Sequence, residues 1–239
     1  MSQPGFLYFY ALCLSFFRLG SCEQLDFKAE NFFIKKDYIS RSSYNHYDDR
    51  TLKDEYQDEV YFIASEMSKK YHFNSIGDVG CGSGYKLLKY FEPLATTGFE
   101  IEPTLTFLKS KYPARNWTES NFGDLRSNRQ FDLMICADVI EHLENPDELL
   151  NWLANCTFEY LVISTPDRDQ LIHFWTHPSH QAQLHSGPPV NSTHMREWNF
   201  EEFEKYLSRY FEVIQHIHCQ KEFWGQIIIA RKKIAKEAF

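Results

Sequence analysis

The strongest constraint on the fold is a short segment with three alternating glycines, D-V-G-C-G-S-G at residues 78–84. An apolar residue, Ile76, precedes it and a run of helical composition follows, which predicts a strand, a glycine turn and a helix in that order. Glycine has no Cβ and accepts a positive φ, so the backbone of such a turn can approach a ligand closely. The N-terminus of the following helix offers unpaired N–H groups to an anionic group. The segment therefore predicts a ligand-binding turn at the end of a strand.

The rest of the chain repeats this alternation of strands and helices. Besides the strand at residues 75–79, the pattern predicts a strand at 96–101, buried strands at 131–137 and 160–164, and helices at 85–91 and 103–112. Capping boxes that begin at Asn145 and Asn199 predict two further helices. The final strands, 211–218 and 223–230, are joined by a link so short that they should form an antiparallel hairpin. The fold class is therefore α/β, with a mostly parallel sheet that ends in an antiparallel strand.

Size and charge narrow the class of protein. A length of 239 residues suits one domain of ordinary size. The net charge of −8 argues against a broad nucleic-acid-binding face, which needs clustered lysine and arginine. The six cysteines are scattered and form no C-x-x-C pair, so we expect free thiols in a reducing compartment and no zinc ribbon. These features favour a cytoplasmic protein, and its oligomeric state stays open.

The N-terminal segment has a different composition. Residues 6–17 form an apolar run, which has the length of a signal-peptide core and is too short to span a bilayer. No lysine or arginine precedes it, so a packed N-terminal helix is the alternative to a targeting or anchor signal. We therefore divide the chain into an N-terminal extension, residues 1–36, and one domain, residues 37–239.

Three motifs in this order resemble a known family. The D-x-G-x-G-x-G turn at 78–84, the segment D-V-I-E-H-L at 138–143 and the segment H-M-R-E-W at 194–198 are similar to those of class I methyltransferases. The resemblance runs from Tyr44 to the C-terminus. It implies a Rossmann-like three-layer sandwich and an enzyme that transfers a methyl group from S-adenosylmethionine. Since D-V-I-E-H-L occurs in many small-molecule and glycan-linked members, it also implies a small-molecule or glycan-type acceptor.

The resemblance, together with the positions at strand ends, indicates the residues that bind the cofactor. The cofactor's methionine carboxylate would lie along the turn, and Glu100, at the end of the second strand, would accept from both ribose hydroxyls. Ile101 would lie against the adenine, and Asp124 would accept from its amino group, although a Gly-Asp pair is also common in plain turns. The complete expected set is Asp78, Gly80, Cys81, Gly82, Gly84, Glu100, Ile101, Asp124, Leu125, Ala137 and Asp138.

Two histidines are candidates for catalysis. A sulfonium methyl group is already electrophilic, so the enzyme mainly has to align a nucleophile with it, which supplies on the order of 7–11 kcal/mol. A hydroxyl or amine acceptor can also need a base, and imidazole has a suitable pKa. His142 and His194 are therefore the expected catalytic residues. The alternative for each is that it braces a junction between elements.

A metal-dependent mechanism is the second hypothesis. The small-RNA 2′-O-methyltransferases that modify a 3′-terminal nucleotide carry a similar E-x-x-E-H segment and a later histidine before E-W. The corresponding residues here are Asp138, which replaces the first glutamate, and Glu141, His142 and His194. Carboxylate and imidazole ligands suit manganese, iron or zinc. The acidic net charge argues against an RNA substrate. A third hypothesis is a catalytically silent scaffold that binds S-adenosylmethionine.

Two segments beside the expected strand ends carry the remaining predictions. Residues 167–198 are too long for an ordinary connection and are interpreted as an insertion on the substrate side of the domain. Within it, Arg168 and Arg196 are candidates to pair with an acidic or phosphorylated acceptor, or simply with neighbouring acids. The tyrosine-rich residues 44–56 are either a lid over the pocket or the beginning of a helix that packs on the surface.

Overall fold

The structure, a computed structural model, describes residues 28–43, 48–53, 55–123, 130–174, 177–222 and 224–233. The strands are β1 Ser75–Val79, β2 Ala95–Glu100, β3 Asn116–Glu119, β4 Leu133–Ala137, β5 Tyr160–Pro166, β6 Phe211–His218 and β7 Gly225–Lys232. The helices are α1 Asp58–Tyr71, α2 Tyr85–Phe91, α3 Thr104–Lys111, α4 Pro146–Asn155, α5 Arg168–Phe174, α6 Pro178–Ser186 and α7 Phe200–Leu207. Among these residues, no helix combines the length and the apolar composition needed to cross a membrane.

All seven strands form one sheet, in the order β3-β2-β1-β4-β5-β7-β6. Strands β1 to β5 are parallel, and β7 pairs antiparallel with both β5 and β6. The chain runs from β1 outward to β2 and β3, and then returns to the other side of β1 with β4. Ligands of open α/β sheets bind in the crevice at such a switch point, outside the carboxyl ends of the strands. The predicted fold class is confirmed.

Apolar side chains fill both faces of the sheet. Every residue of β4 is buried, as its unbroken apolar sequence Leu-Met-Ile-Cys-Ala predicts for a strand covered on both sides. Helices α1, α2 and α3 cover one face, with Val60, Leu87 and Leu108 in the core. Helices α4 and α7 cover the other face. Because both faces are covered, polar groups are left to gather at the edges where the strands end.

A stretch before the predicted domain boundary at residue 36 packs into this second core. Phe32 and Ile34 are buried there, and the carbonyl of Phe32 accepts from the indole N–H of Trp198 at 2.8 Å. Tyr38 is buried beside them. The boundary itself stays a prediction, but residues 29–38 share a hydrophobic core with the domain.

The two predicted capping boxes have different outcomes. At Asn199 the box is present, since the Asn199 side chain accepts from the N–H of Glu202 and the Glu202 carboxylate accepts from the N–H of Asn199. The prediction at Asn145 is wrong. There the side-chain amide donates to the Glu148 carboxylate at 3.0 Å and accepts no backbone N–H of α4. Pro146 at the first helical position already fixes the start of α4 without that bond.

This difference gives a measurable stability prediction. Asn199→Ala should lower the free energy of unfolding by about 1 kcal/mol, the usual cost of removing a capping side chain. Asn145→Ala is the matched control. It should lower the free energy of unfolding by only a few tenths of this amount, because the Asn145 side chain accepts no backbone N–H. Urea unfolding of both variants checks this, and equal losses would contradict it.

Candidate active site

A cavity of about 510 Å³ lies at the switch point between β1 and β4. This volume is in the range of small-molecule sites. The glycine turn and Glu100 line one end of the cavity, and Glu141, His142 and His194 line the other. Of the expected cofactor residues, those that line it are Gly80, Cys81, Glu100, Ile101, Ala137 and Asp138.

The glycine turn has the strained backbone that its sequence predicts. Gly80, Gly82 and Gly84 all have positive φ, at 68°, 53° and 71°. Other residues rarely adopt these angles, so the turn requires glycine at all three positions. The N–H of Gly80 donates to the carbonyl of Phe99 in β2 at 2.9 Å, which holds the turn over the sheet edge.

Asp78 lies in β1 immediately before the turn and is fully buried. Its Oδ2 accepts from the hydroxyl of Tyr61 in α1 at 2.9 Å. Burial raises the pKa of Asp78 to about 8, against the opposing effect of the Tyr61 hydrogen bond. In this structure Asp78 therefore joins β1 to α1 beneath the turn, and its predicted contact with the cofactor stays a prediction.

Glu100 ends β2 and faces the turn. Its carboxylate accepts from the N–H of Gly82 at 2.8 Å and from the N–H of Ile101 at 2.9 Å. Burial raises the pKa of Glu100 to about 7, and the two N–H donors oppose that shift. This position beside the turn is the one from which an acid can accept from ribose hydroxyls.

The end of β4 forms the middle of the cavity. Asp138 has a positive φ of 52°, and its Oδ1 accepts from the hydroxyl of Ser164 in β5 at 2.6 Å. Beside it, the carbonyl of Ala137 accepts from the side-chain amide of Gln57 at 3.1 Å. Burial raises the pKa of Asp138, although the bond from Ser164 opposes the shift. These contacts fix the backbone between the two ends of the cavity.

Hydrogen bonds determine the tautomers of both candidate catalytic histidines. His142 Nδ1 lies 2.8 Å from the carbonyl of Thr193, which can only accept, so the proton is on Nδ1 and the lone pair on Nε2. For His194, Nδ1 lies 2.7 Å from a Glu197 carboxylate oxygen and Nε2 lies 2.9 Å from the Asn191 amide nitrogen. The other amide atom of Asn191 accepts from Thr193, so its nitrogen must donate to His194. These hydrogen bonds assign the same tautomer to both rings, with the proton on Nδ1 and none on Nε2.

Two buried glutamates accompany these rings. Glu141 Oε2 accepts from the hydroxyl of Thr165 at 3.0 Å, while Glu141 Oε1 and Glu197 Oε2 make no hydrogen bond within the described residues. Burial, with the nearby charge of Asp138, raises the pKa of Glu141 well above its ordinary value. Buried carboxylate oxygens without donors are costly, so these two atoms indicate where a ligand group would bind.

The insertion at 167–198 contributes to the histidine end of the cavity, but not through its arginines. Arg168 and Arg196 are each 1% exposed. Arg168 pairs with Glu202 at 2.7 Å, and Arg196 donates to the carbonyls of Leu143 and Glu144. Of the two roles considered, pairing with a neighbouring acid is the one observed for Arg168, and both guanidinium groups hold elements together and do not face an acceptor. The insertion residues that line the cavity are Leu171, Asn191, Thr193, His194 and Glu197.

Two of the expected cofactor-binding residues lie outside the described part of the chain, and some residues that line the cavity were not predicted from the sequence. Asp124 and Leu125 lie outside the described residues. Sequence reasoning gave no role to Glu197, although it follows His194 by three residues. It also missed Asn191 and Lys86, for which no motif gives a signal. The lid hypothesis for residues 44–56 gains support from its described part, since Asp49, Leu52 and Tyr56 line the cavity.

Comparison with known proteins identifies the family. The model of a methyltransferase domain matches residues 44–217. The ubiquinone biosynthesis O-methyltransferase of Rickettsia canadensis is 33% identical over 94 residues, which is 33% of this chain and 38% of that protein. The chain thus spans little more than a third of the length of this relative. The fold, the glycine turn and the family match agree, and the chain belongs to the class I methyltransferases, whose cofactor is S-adenosylmethionine.

Solved structures share the fold at low sequence identity. Magnesium protoporphyrin IX methyltransferase from Synechocystis, with bound S-adenosylhomocysteine, has a TM-score of 0.56 and 15% identity, covering 74% of this chain and 83% of that one. The [4+2]-cyclase SpnF has a TM-score of 0.58 and 13% identity, covering 82% and 87%. A methyltransferase and a cyclase thus share this architecture, so the fold alone does not determine the reaction.

The raised pKa of Glu100 gives a pH prediction for cofactor binding. The carboxyl group must be ionised to accept from both ribose hydroxyls, and with a pKa of about 7 it becomes protonated as the pH falls. The affinity for S-adenosylhomocysteine, measured by calorimetry, should therefore fall about tenfold between pH 8 and pH 6.

Glu100→Gln is the control for other groups that titrate in this range. It should bind S-adenosylhomocysteine weakly at both pH values and without this pH dependence. A wild-type affinity that is the same at pH 8 and pH 6 would contradict the ribose role of Glu100.

Proposed function

We propose that this protein transfers the methyl group of S-adenosylmethionine to a hydroxyl group of a small-molecule or glycan-type acceptor. The observation that carries the proposal is the cavity, which runs from the glycine turn to a pair of imidazole rings. The O-methyltransferase activity of the Rickettsia relative supports an oxygen acceptor, although the match covers only part of each chain.

The residues present fit the cofactor. The three glycines leave bare backbone at the turn, and Glu100 lies beside it because its carboxylate accepts from the N–H of Gly82. When bound there, S-adenosylmethionine supplies an electrophilic methyl group on a sulfonium. The acceptor would enter at the opposite end, between His142, His194 and Leu171. Holding both reactants in one cavity removes most of the entropic cost of bringing them together.

His142 is the proposed base. Its Nδ1–H donates to the carbonyl of Thr193, so Nε2 is the ring nitrogen that can take the acceptor's proton. Nε2 lies 4.0 Å from Glu141 Oε1, and the positive charge that a proton creates would face this carboxyl group. His194 packs edge-on against the His142 ring at 4.9 Å and is itself held by Glu197, which suits an orienting role.

A screen with labelled S-adenosylmethionine tests the proposal. Phenols, sugars, glycans and RNA oligonucleotides would be offered in parallel, and we expect label on a hydroxyl of a small molecule or glycan. His142→Gln should lower that transfer a hundredfold or more, because removing a general base typically costs this much, while S-adenosylhomocysteine binding stays unchanged. The exposed His185 serves as the matched control, and His185→Gln should keep full activity. Label on RNA alone, no label on any acceptor, or a fully active His142→Gln would contradict the proposal.

A second candidate is the metal-assisted RNA 2′-O-methyltransferase. The observation that favours it is that ligand atoms of Glu141, His142 and His194 all lie within 4.8 Å of one another. One carboxylate oxygen and two imidazole nitrogens are ligand types that suit a divalent transition metal, which would supply positive charge beside the acceptor hydroxyl. His194 Nε2 would have to release the amide of Asn191 to bind it. Asp138 is not part of this group, and its Oδ1 accepts from Ser164.

Metal titration separates the two candidates. If the second is correct, calorimetry should detect Mn²⁺ binding to the wild type that Glu141→Gln weakens at least tenfold, because the substitution removes the charged ligand. A chelator should then abolish methylation of an RNA with a 3′-terminal 2′-hydroxyl, and Mn²⁺ should restore it. Glu148→Gln, on the exposed surface of α4, is the matched control. Absence of Mn²⁺ binding at millimolar concentration would eliminate this candidate.

A further inference from the structure

Residues 48–53 lie directly against the glycine turn. Asp49 and Leu52 line the cavity, and the hydroxyl of Ser83 donates to the carbonyl of Leu52 at 2.6 Å. A Cβ placed on Gly82 would lie 1.8 Å from Asp49 Oδ2. The carboxylate of Asp49 therefore packs on the bare Cα of Gly82, and glycine at this position is needed for this contact as well as for its positive φ.

Asp49 brings a third carboxylate to this end of the cavity. Asp78 and Glu100 already surround the turn, and they accept from Tyr61 and from the N–H groups of Gly82 and Ile101. Burial is the main reason that the pKa values of Asp78 and Glu100 are raised, and the charge of Asp49 adds to both shifts. The positive charge of Lys86 acts against the shift of Asp78, yet the pKa values of both acids stay raised, so a further cationic group at the turn would be stabilised there.

We propose that Asp49 binds the α-ammonium group of the cofactor's methionine portion. That portion carries one negative and one positive group, and the N–H groups of a glycine turn suit only the negative one. The positive group needs an acceptor at the same end of the cavity. Asp49 lies in the lining of the cavity, and its Oδ2 is directly against the backbone of the turn at Gly82.

The inference depends on the cofactor and not on the acceptor proposed above. S-adenosylhomocysteine is a suitable probe, because it keeps the ammonium group and lacks the sulfonium charge. Its des-amino analogue, in which hydrogen replaces the ammonium group, keeps the carboxylate and the adenosine. A contact with the sulfonium would affect neither molecule, so the pair isolates the ammonium contact.

Calorimetry of both probes with two proteins tests the proposal. Wild type should bind S-adenosylhomocysteine at least tenfold more tightly than the des-amino analogue, as expected for a charge-assisted hydrogen bond. Asp49→Asn, which keeps the shape of the side chain, should bind the two probes with similar affinity. Asp48→Asn is the matched control, because Asp48 is exposed and pairs with Arg50, and it should keep the wild-type preference.

The preference between the probes decides the outcome. If Asp49→Asn keeps the tenfold preference, or weakens both probes equally, Asp49 does not bind the ammonium group and acts only in the packing of residues 48–53. A wild type that binds neither probe would contradict the cofactor site itself, which is a different failure. Asp49→Ala gives a second variant, and a thermal melt of each protein verifies that it is folded.

Discussion

The parallel direction of β1, β2, β4 and β5 is the constraint on which the site depends. Parallel strands end at the same edge of a sheet, so residues far apart in sequence meet there without any direct sequence signal. β1 delivers the glycine turn, β2 delivers Glu100, and β4 delivers Asp138. Register completes the arrangement, since Val79 pairs with both Phe99 and Cys136 and brings the three strand ends to the same level.

Acidic side chains outnumber the one lysine, Lys86, among the described residues that line the cavity. Asp49, Glu100, Asp138, Glu141 and Glu197 line it, and both arginines of the insertion are used elsewhere. Keeping so many carboxyl groups out of water is unfavourable unless a cation or a donor compensates. A cofactor with a sulfonium and an ammonium group provides this compensation, whereas an anionic acceptor would not. This lining agrees with the neutral hydroxyl acceptor proposed above.

Features that depend on local sequence were predicted well. The first strand and the following helix have the predicted bounds, 75–79 and 85–91, because apolar runs and glycines act over a few residues. The capping box at Asn145 was wrong, since Pro146 can begin the helix alone. The sequence left open whether Arg168 and Arg196 pair with an acceptor or with neighbouring acids. Whether an arginine faces a ligand or a buried glutamate depends on tertiary contacts, and no pattern within the chain encodes the distance between Arg168 and Glu202.

The histidine end of the cavity depends on a segment that the family model does not cover. The match begins at residue 44, yet Arg41 donates to the carbonyls of Pro189 and His194, and its N–H donates to the carbonyl of Met195. The hydroxyl of Tyr38 accepts from the N–H of Glu197 at 3.2 Å. These bonds fix the backbone that presents His194 and Glu197. The acceptor end proposed above therefore takes its shape from residues 38–41, which lie outside the family match, as well as from residues 167–198, which lie inside it.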